Sequence, residues 1–401
     1  MIYYLQYMPV SKQIHRHASS THQGWILRHL PYLEGTALVL SGTLGAGIFA
    51  IPFVVSQVGV GIGMICIFLV GLLVLGLNIL IAEIACATKR PLQLVGLARE
   101  YLGRTGEIIM LVLMYSMLFG ALLIYLIGEG ESLSALFGGD PVKWALVFFL
   151  FATGLVVVGM KTVKTIEMIL LAGVLLIIAL IAGVGIPHIQ LFNLSSFAPG
   201  NILALYSVLI FSFHATTAIP EAHSILNKKI QTFKRSVVTS SLICIVLYAL
   251  FSLVVVGITG ADTTAIATIG LGYKVGPVIK LLGNLFAILA MATGFLMAAS
   301  SLRDSLKWDF KFLHTPAALF VCTVPLTLYV LGVRQFIVVM DVVGGVFVSL
   351  EMLMMVMIYW RARQRGKIKG RKNILHHALL ASGFVFVALL VGTVYNISKY
   401  F

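Results

Sequence analysis

Charge is scarce in this sequence. Acidic residues number 14 among 401, and Asp, Glu, Lys and Arg together make up only 10%, where a soluble domain carries about a quarter. Such a chain cannot cover a globule in water, and it lacks the charge of a disordered segment. Cysteine is scarce too. Cys66, Cys86, Cys244 and Cys322 each lie inside an apolar run without metal-type spacing. That excludes a disulfide framework and a cysteine metal centre, and leaves four small core residues. Catalytic signatures are missing: there is no HExxH, no aspartate pair at proteolytic spacing and no G-x-S-x-G elbow. No enzyme, cofactor or resident metal is expected. The N-terminal residues 1–30 lack a short apolar core followed by a cleavage site and read as a retained cytoplasmic tail. The tail histidines, His15, His17, His22 and His29, have no acidic or cysteine partners nearby and read as solvated.

What the chain does have is apolar surface. Hydrophobic residues make up 60% and the mean hydropathy is +1.04, which places it among integral membrane proteins. Its net charge is +14, from 28 Lys and Arg. In a soluble protein that would suggest nucleic acid, so the positions of the basic residues decide.

A helix needs about 20 mainly apolar residues to span the hydrocarbon layer, and breaks at charged and Gly/Pro clusters leave about eleven such stretches. Their approximate limits are 32–58, 61–87, 106–137, 142–160, 166–187, 201–222, 236–259, 277–302, 316–332, 335–360 and 375–398. The first and third are long for one straight span. With the N-terminus inside, about 23 of the 28 basic residues fall in cytoplasmic segments, from Lys12 through Lys89, Arg90, Lys161, Lys164, Lys228 and Arg303 to the seven between Arg361 and Lys372. The excess is therefore topogenic and excludes nucleic acid as the partner, while the last cluster suits anionic lipid heads. Glu129, Glu131 and Asp140 are expected in one outer loop. The amphipathic segment 91–103 is too short to span and is expected along the inner membrane surface.

The apolar pattern is interrupted at two informative places. The first span contains Ser41-Gly42-Thr43-Leu44-Gly45-Ala46-Gly47-Ile48-Phe49-Ala50-Ile51-Pro52, and the sixth contains Phe211-Ser212-Phe213-His214-Ala215-Thr216-Thr217-Ala218-Ile219-Pro220-Glu221. Ala-Ile-Pro follows each interruption. Glycine and proline weaken helical hydrogen bonding at membrane depth, which is tolerated where freed backbone groups face protein, water or a ligand. For any single glycine pair, close packing of two helices is the better explanation. Paired breaks at corresponding places in two halves, however, point to the binding site of a secondary transporter. Amides at a half-helix N-terminus attract an anionic group and carbonyls at a half-helix C-terminus attract a cation, so a zwitterion suits both. The amides of Gly45, Ala46 and Gly47 are the carboxylate candidates and the carbonyls of Phe211, Ser212 and Phe213 the ammonium candidates; Thr43, His214 and Ala215 are further substrate-binding candidates. Phe49, Phe213 and Tyr125 are candidate walls of an apolar pocket.

At these residues the sequence resembles the amino acid permeases of the amino acid-polyamine-organocation superfamily, particularly the hydroxy and aromatic amino acid permease group and its auxiliary-type relatives. The matching pieces are residues 42–52, 96–103, 211–221 and 286–296. The resemblance implies an all-helical membrane protein with a five-plus-five inverted-repeat core, residues 31–187 and 201–360, whose helices 1 and 6 are discontinuous. Residues 361–401 add a basic loop and an eleventh helix. It further implies alternating access, an amino acid substrate between spans 1, 3, 6 and 8, and a multi-pass protein of the cell membrane coupled to Na+ or H+. In sodium-coupled relatives the ion site maps to the carbonyls of Ser41, Leu44 and Ala290 and the hydroxyl of Thr293, with Gly294 where a second hydroxyl would stand.

Intramembrane charges are costly and each is a functional hypothesis. His214 contacts substrate, carries a proton or bonds a freed carbonyl. Glu351 and Asp341 on span 10 are proton-coupling or gate candidates. Glu83 and Glu221, near inner ends, are candidates for an inner gate with Arg99 or Arg104, against ordinary ion pairing. The alternatives to amino acid transport are a polyamine or other organocation carrier, or a sensor on the same fold.

Overall fold

The computed structural model describes residues 21–88, 92–158, 163–195, 202–226, 229–309, 311–368, 383, 387, 389–394 and 398. Outside them lie residues 1–20, Lys89, Arg90, Lys161 and Lys228, the end of the basic loop and most of the expected eleventh span, which is helical wherever it is described. Every regular element among the described residues is a helix. In chain order these are α1 (Thr21–Thr43), α2 (Gly47–Val58), α3 (Val60–Ala87), α4 (Leu94–Phe137), α5 (Pro141–Val158), α6 (Val163–Gly185) and the single turn α7 (Leu191–Leu194). There follow α8 (Ile202–Ser212), α9 (Ala218–Leu226), α10 (Ile230–Thr259), α11 (Ala267–Val275), α12 (Pro277–Asp309), α13 (His314–Val330), α14 (Phe336–Val342) and α15 (Ser349–Gln364). Between the last two runs a π-helical stretch, Val343–Val348.

Six helices among the described residues are long and apolar enough to cross a membrane, and the bent pair α1–α2 makes a seventh. The expected sixth span fails that length test because its break leaves helices of 11 and 9 residues, and α13 fails it at 17. The first expected stretch is long because it contains a bend: the part of α1 from Leu30 and α2 meet at 55° across Leu44–Ala46.

Two expectations are corrected. The amphipathic segment does not lie with its apolar face on lipid. Leu94, Leu97, Ala98 and Tyr101 are buried in the protein, and the Tyr101 and Thr88 hydroxyls are 3.0 Å apart. This segment joins the third span through Gly103, whose φ of 78° and ψ of −164° turn the chain where no other residue sits easily. Glu129 is not in an outer loop either. It lies within α4, two turns before its end, with no exposed surface.

The breaks also fix the core. α2 packs on α8, α1 on α9 and α10, and α4 on α12. A Cβ at Gly42 would lie 2.6 Å from that of Ala218, and one at Gly47 would overlap Ser212. These two glycines therefore meet the close-packing explanation: they let the two broken spans cross at their breaks.

Candidate functional site

Each break leaves backbone groups without helical partners, and the structure accounts for most of them. In the first, the Gly45 amide donates to the Thr43 carbonyl at 3.0 Å, so of the three expected carboxylate amides this one is turned inward. The first amides of α2, at Gly47 and Ile48, have no carbonyl in their own helix to bond. In the second break the His214 amide donates to Phe211 at 3.2 Å and the Ser212 carbonyl is taken from outside. Its partner is Tyr248 of α10, which the sequence did not single out. The buried Tyr248 hydroxyl lies 3.0 Å from the Thr43 carbonyl and 2.8 Å from that of Ser212. One phenol thus joins both breaks. Of the three expected ammonium carbonyls, only that of Phe213 has no hydrogen bond among the described residues.

The aromatic candidates separate. Phe49 is fully buried edge-on to Phe286, and Phe213 packs on Tyr248 with ring centroids 4.9 Å apart. Both belong to the core rather than to a pocket wall. Tyr125 of α4 remains half-buried at the centre: its hydroxyl would lie 2.9 Å from a Cβ at Gly45, and its ring carbon Cζ 2.5 Å from one at Gly294. Gly45 and Gly294 are small because this ring fills the space between spans 1, 3 and 8.

That contact bears on the expected ion site. The position of the second hydroxyl, 294, has no room for a side chain while the ring stands there. Thr293 donates its hydroxyl to the Leu289 carbonyl at 2.7 Å, a bond within its own helix. Ser41 does likewise with Leu38 at 3.3 Å, and the Leu44 amide continues α1 by bonding Leu40 at 2.8 Å. Ala290 is half-buried on α12.

His214 and Glu351, proposed separately from sequence, meet. His214 Nε2 lies 3.1 Å from Glu351 Oε1 and 2.6 Å from the Thr216 hydroxyl, which itself donates to the same carboxyl oxygen. Glu351 is fully buried and its other oxygen has no hydrogen bond among the described residues. The Nε2 atom of His214 thus serves a carboxyl on span 10 rather than a freed carbonyl. Thr216 was legible as a polar residue in the interruption, but its partner is 135 residues away.

The gate candidates are distributed otherwise than expected. Arg99 pairs with Glu107 at 3.2 Å on the surface, so it does not serve Glu83. Glu83 faces Lys234 of α10 at 3.8 Å, and Arg104 is exposed. Glu221 stands in the first turn of α9, where its charge suits the helix dipole. Asp341 is buried on α14.

Comparison with known proteins bears on the family and the fold. The chain is 26% identical over 369 residues to glutamine transporter 2 of Aliivibrio fischeri, covering 88% of this chain and 94% of that protein. It is 26% identical over 357 residues to tyrosine-specific transport system 1 of Haemophilus influenzae, covering 82% and 88%. Among solved structures, MhsT in complex with L-phenylalanine superposes with a TM-score of 0.69 at 14% identity, over 90% of this chain and 98% of that one. The Eremococcus coleocola manganese transporter superposes with a TM-score of 0.68 at 14% identity, over 96% and 90%. These two share the fold. Residues 30–398 match the tryptophan/tyrosine permease family. The chain belongs to that family and is a secondary amino acid transporter of the membrane, with an all-helical fold whose first and sixth spans are broken.

Proposed function

We propose that this permease of the amino acid-polyamine-organocation superfamily moves aromatic amino acids, tyrosine or tryptophan foremost, together with protons. Its N-terminus is cytoplasmic, and residues 31–187 and 201–360 form the two inverted repeats that rock around the breaks. The observation that carries the coupling is the His214–Thr216–Glu351 contact, which ties the span 6 break to span 10. As a carboxylate, Glu351 accepts hydrogen bonds from Thr216 and from the imidazole. A proton taken from the coupling gradient removes the need for both donors and frees the span 6 break from α15. Sodium is disfavoured because the Tyr125 ring fills the space at Gly294. The substrate carboxylate suits the free amides at the start of α2 with the Tyr125 hydroxyl beside them, and the ammonium suits the Phe213 carbonyl.

The family and the tyrosine-specific relative support an aromatic side chain; the relative named a glutamine transporter favours a second reading, a smaller neutral one. The test is uptake of labelled tyrosine into proteoliposomes with proton and sodium gradients imposed separately, against competing tryptophan, phenylalanine, glutamine and a polyamine. Accumulation under an inward proton gradient, abolished by a protonophore and competed best by aromatics, is expected. Accumulation driven by sodium alone would remove the coupling proposal, and stronger competition by glutamine would transfer the substrate reading to it.

A further inference from the structure

Glu129 is the least satisfied ionisable side chain in the described membrane helices. It has no exposed surface, its carboxyl oxygens have no hydrogen-bond partner among the described residues beyond the adjacent Ala292 main chain, and no Lys, Arg or His among those residues comes within ion-pair distance of it. An uncompensated carboxylate is costly inside a membrane protein, and such residues are kept where they are used.

Its neighbours suggest the use. Tyr125 is four residues earlier and Ser132 three later on α4, so the three share one helix face. Tyr125 reaches the first break at Gly45, and the Ser132 hydroxyl, fully buried, also has no partner. The face meets α12: Gly294 lies under the Tyr125 ring, the Ala292 main chain is beside the Glu129 carboxyl, and Met291 presses on Gly128. A stripe of phenol, carboxyl and hydroxyl thus runs between two apolar helices, from the break toward the end of α4 that bears Glu131, with Asp140 in the turn beyond it. The other elements packed on α4 present Lys143 (α5), Tyr329 and Arg334 at the outer end of α13, Asp341 (α14) and Glu351 (α15) as titratable or charged groups. None of them forms an ion pair with Glu129.

We propose that Glu129 is a proton-binding station on the outer half of the transport route, taking protons past Ser132 and passing them to the crevice at Tyr125. This inference rests on the proton-coupled reading above, and the test separates the two. Purified protein in liposomes is assayed for exchange of labelled tyrosine without a gradient and for accumulation under an inward proton gradient. Failure of the wild type to accumulate under the proton gradient overturns the coupling reading itself, whatever the variants do. Given wild-type accumulation, Glu129→Gln is expected to keep exchange within about twofold while losing accumulation about tenfold or more, with partial return in Glu129→Asp. Ser132→Ala is expected to slow gradient-driven uptake and leave exchange intact. Wild-type accumulation by Glu129→Gln overturns the inference. So does loss of both activities in Glu129→Gln when Ser132→Ala behaves as wild type, because Glu129 is then a packing residue. If Glu129→Gln loses both activities while Ser132→Ala is impaired only in accumulation, the stripe stands as the proton route.

Discussion

The hydroxyl of Tyr248 does at both breaks what the helix ladder cannot do there: it supplies a donor to carbonyls whose helical partners are missing. Tyr248→Phe keeps the ring packing on Phe213, removes the donor of the Ser212 carbonyl and leaves the Thr43 carbonyl with the Gly45 amide alone. The expected cost is about 1–3 kcal/mol, seen as a lower Tm of the purified protein together with weaker substrate binding. An unchanged Tm would mean that water replaces the phenol. A second prediction concerns Tyr125. In Gly294→Ala the added methyl meets the ring at 2.5 Å, and overpacking of this kind costs about 1–3 kcal/mol. Uptake should fall about tenfold or more, and wild-type uptake would show that the ring moves aside freely. At this scale the sequence was informative wherever a residue was unusual for its surroundings, as with His214, Glu351 and Gly45. It was uninformative where the function lies in a partner: nothing in an apolar span marks Tyr248 as the tyrosine that reaches two helices.

Among the helices, the interruptions at 44–46 and 213–217 were legible because glycine, proline and polar residues disturb an otherwise continuous apolar run. Their direction was not legible. The amide of Gly45 turns to Thr43 and the carbonyl of Ser212 turns to Tyr248, which only the folded chain decides. The kink of α4 is a second case. The sequence separates the amphipathic segment from the third span, but the buried position of Leu94 and Leu97 depends on what packs there. Gly103→Ala tests the kink without a steric complication, since no atom lies within 4 Å of the added methyl. The φ and ψ of this residue belong to a region essentially confined to glycine, and the substitution should cost about 1–3 kcal/mol, measured as loss of thermal stability. The end of α5 shows basic residues in a further role: Arg303 donates to the Val156 carbonyl at 2.7 Å and His314 Nε2 lies 2.8 Å from that of Val157. Both complement the negative end of a helix.

For the whole molecule, composition leads to a membrane protein, and the distribution of 28 basic residues leads to the expectation that its N-terminus is inside. With the four native cysteines replaced, Asp140→Cys should react with a membrane-impermeant maleimide on intact cells, and Gly366→Cys only after permeabilisation; the reverse pattern would invert the topology. The class of protein and the two breaks were determined by the sequence alone, because hydrophobic length and local helix weakness are properties of consecutive residues. The meeting of the breaks at Gly42, Gly47, Ala218 and Ser212, the approach of His214 to Glu351 and the isolation of Glu129 were decided by tertiary structure. These depend on contacts between residues more than a hundred positions apart, or on the lack of a side-chain partner for one carboxyl among the described residues, and a burial of that kind is fixed only when all the helices are in place.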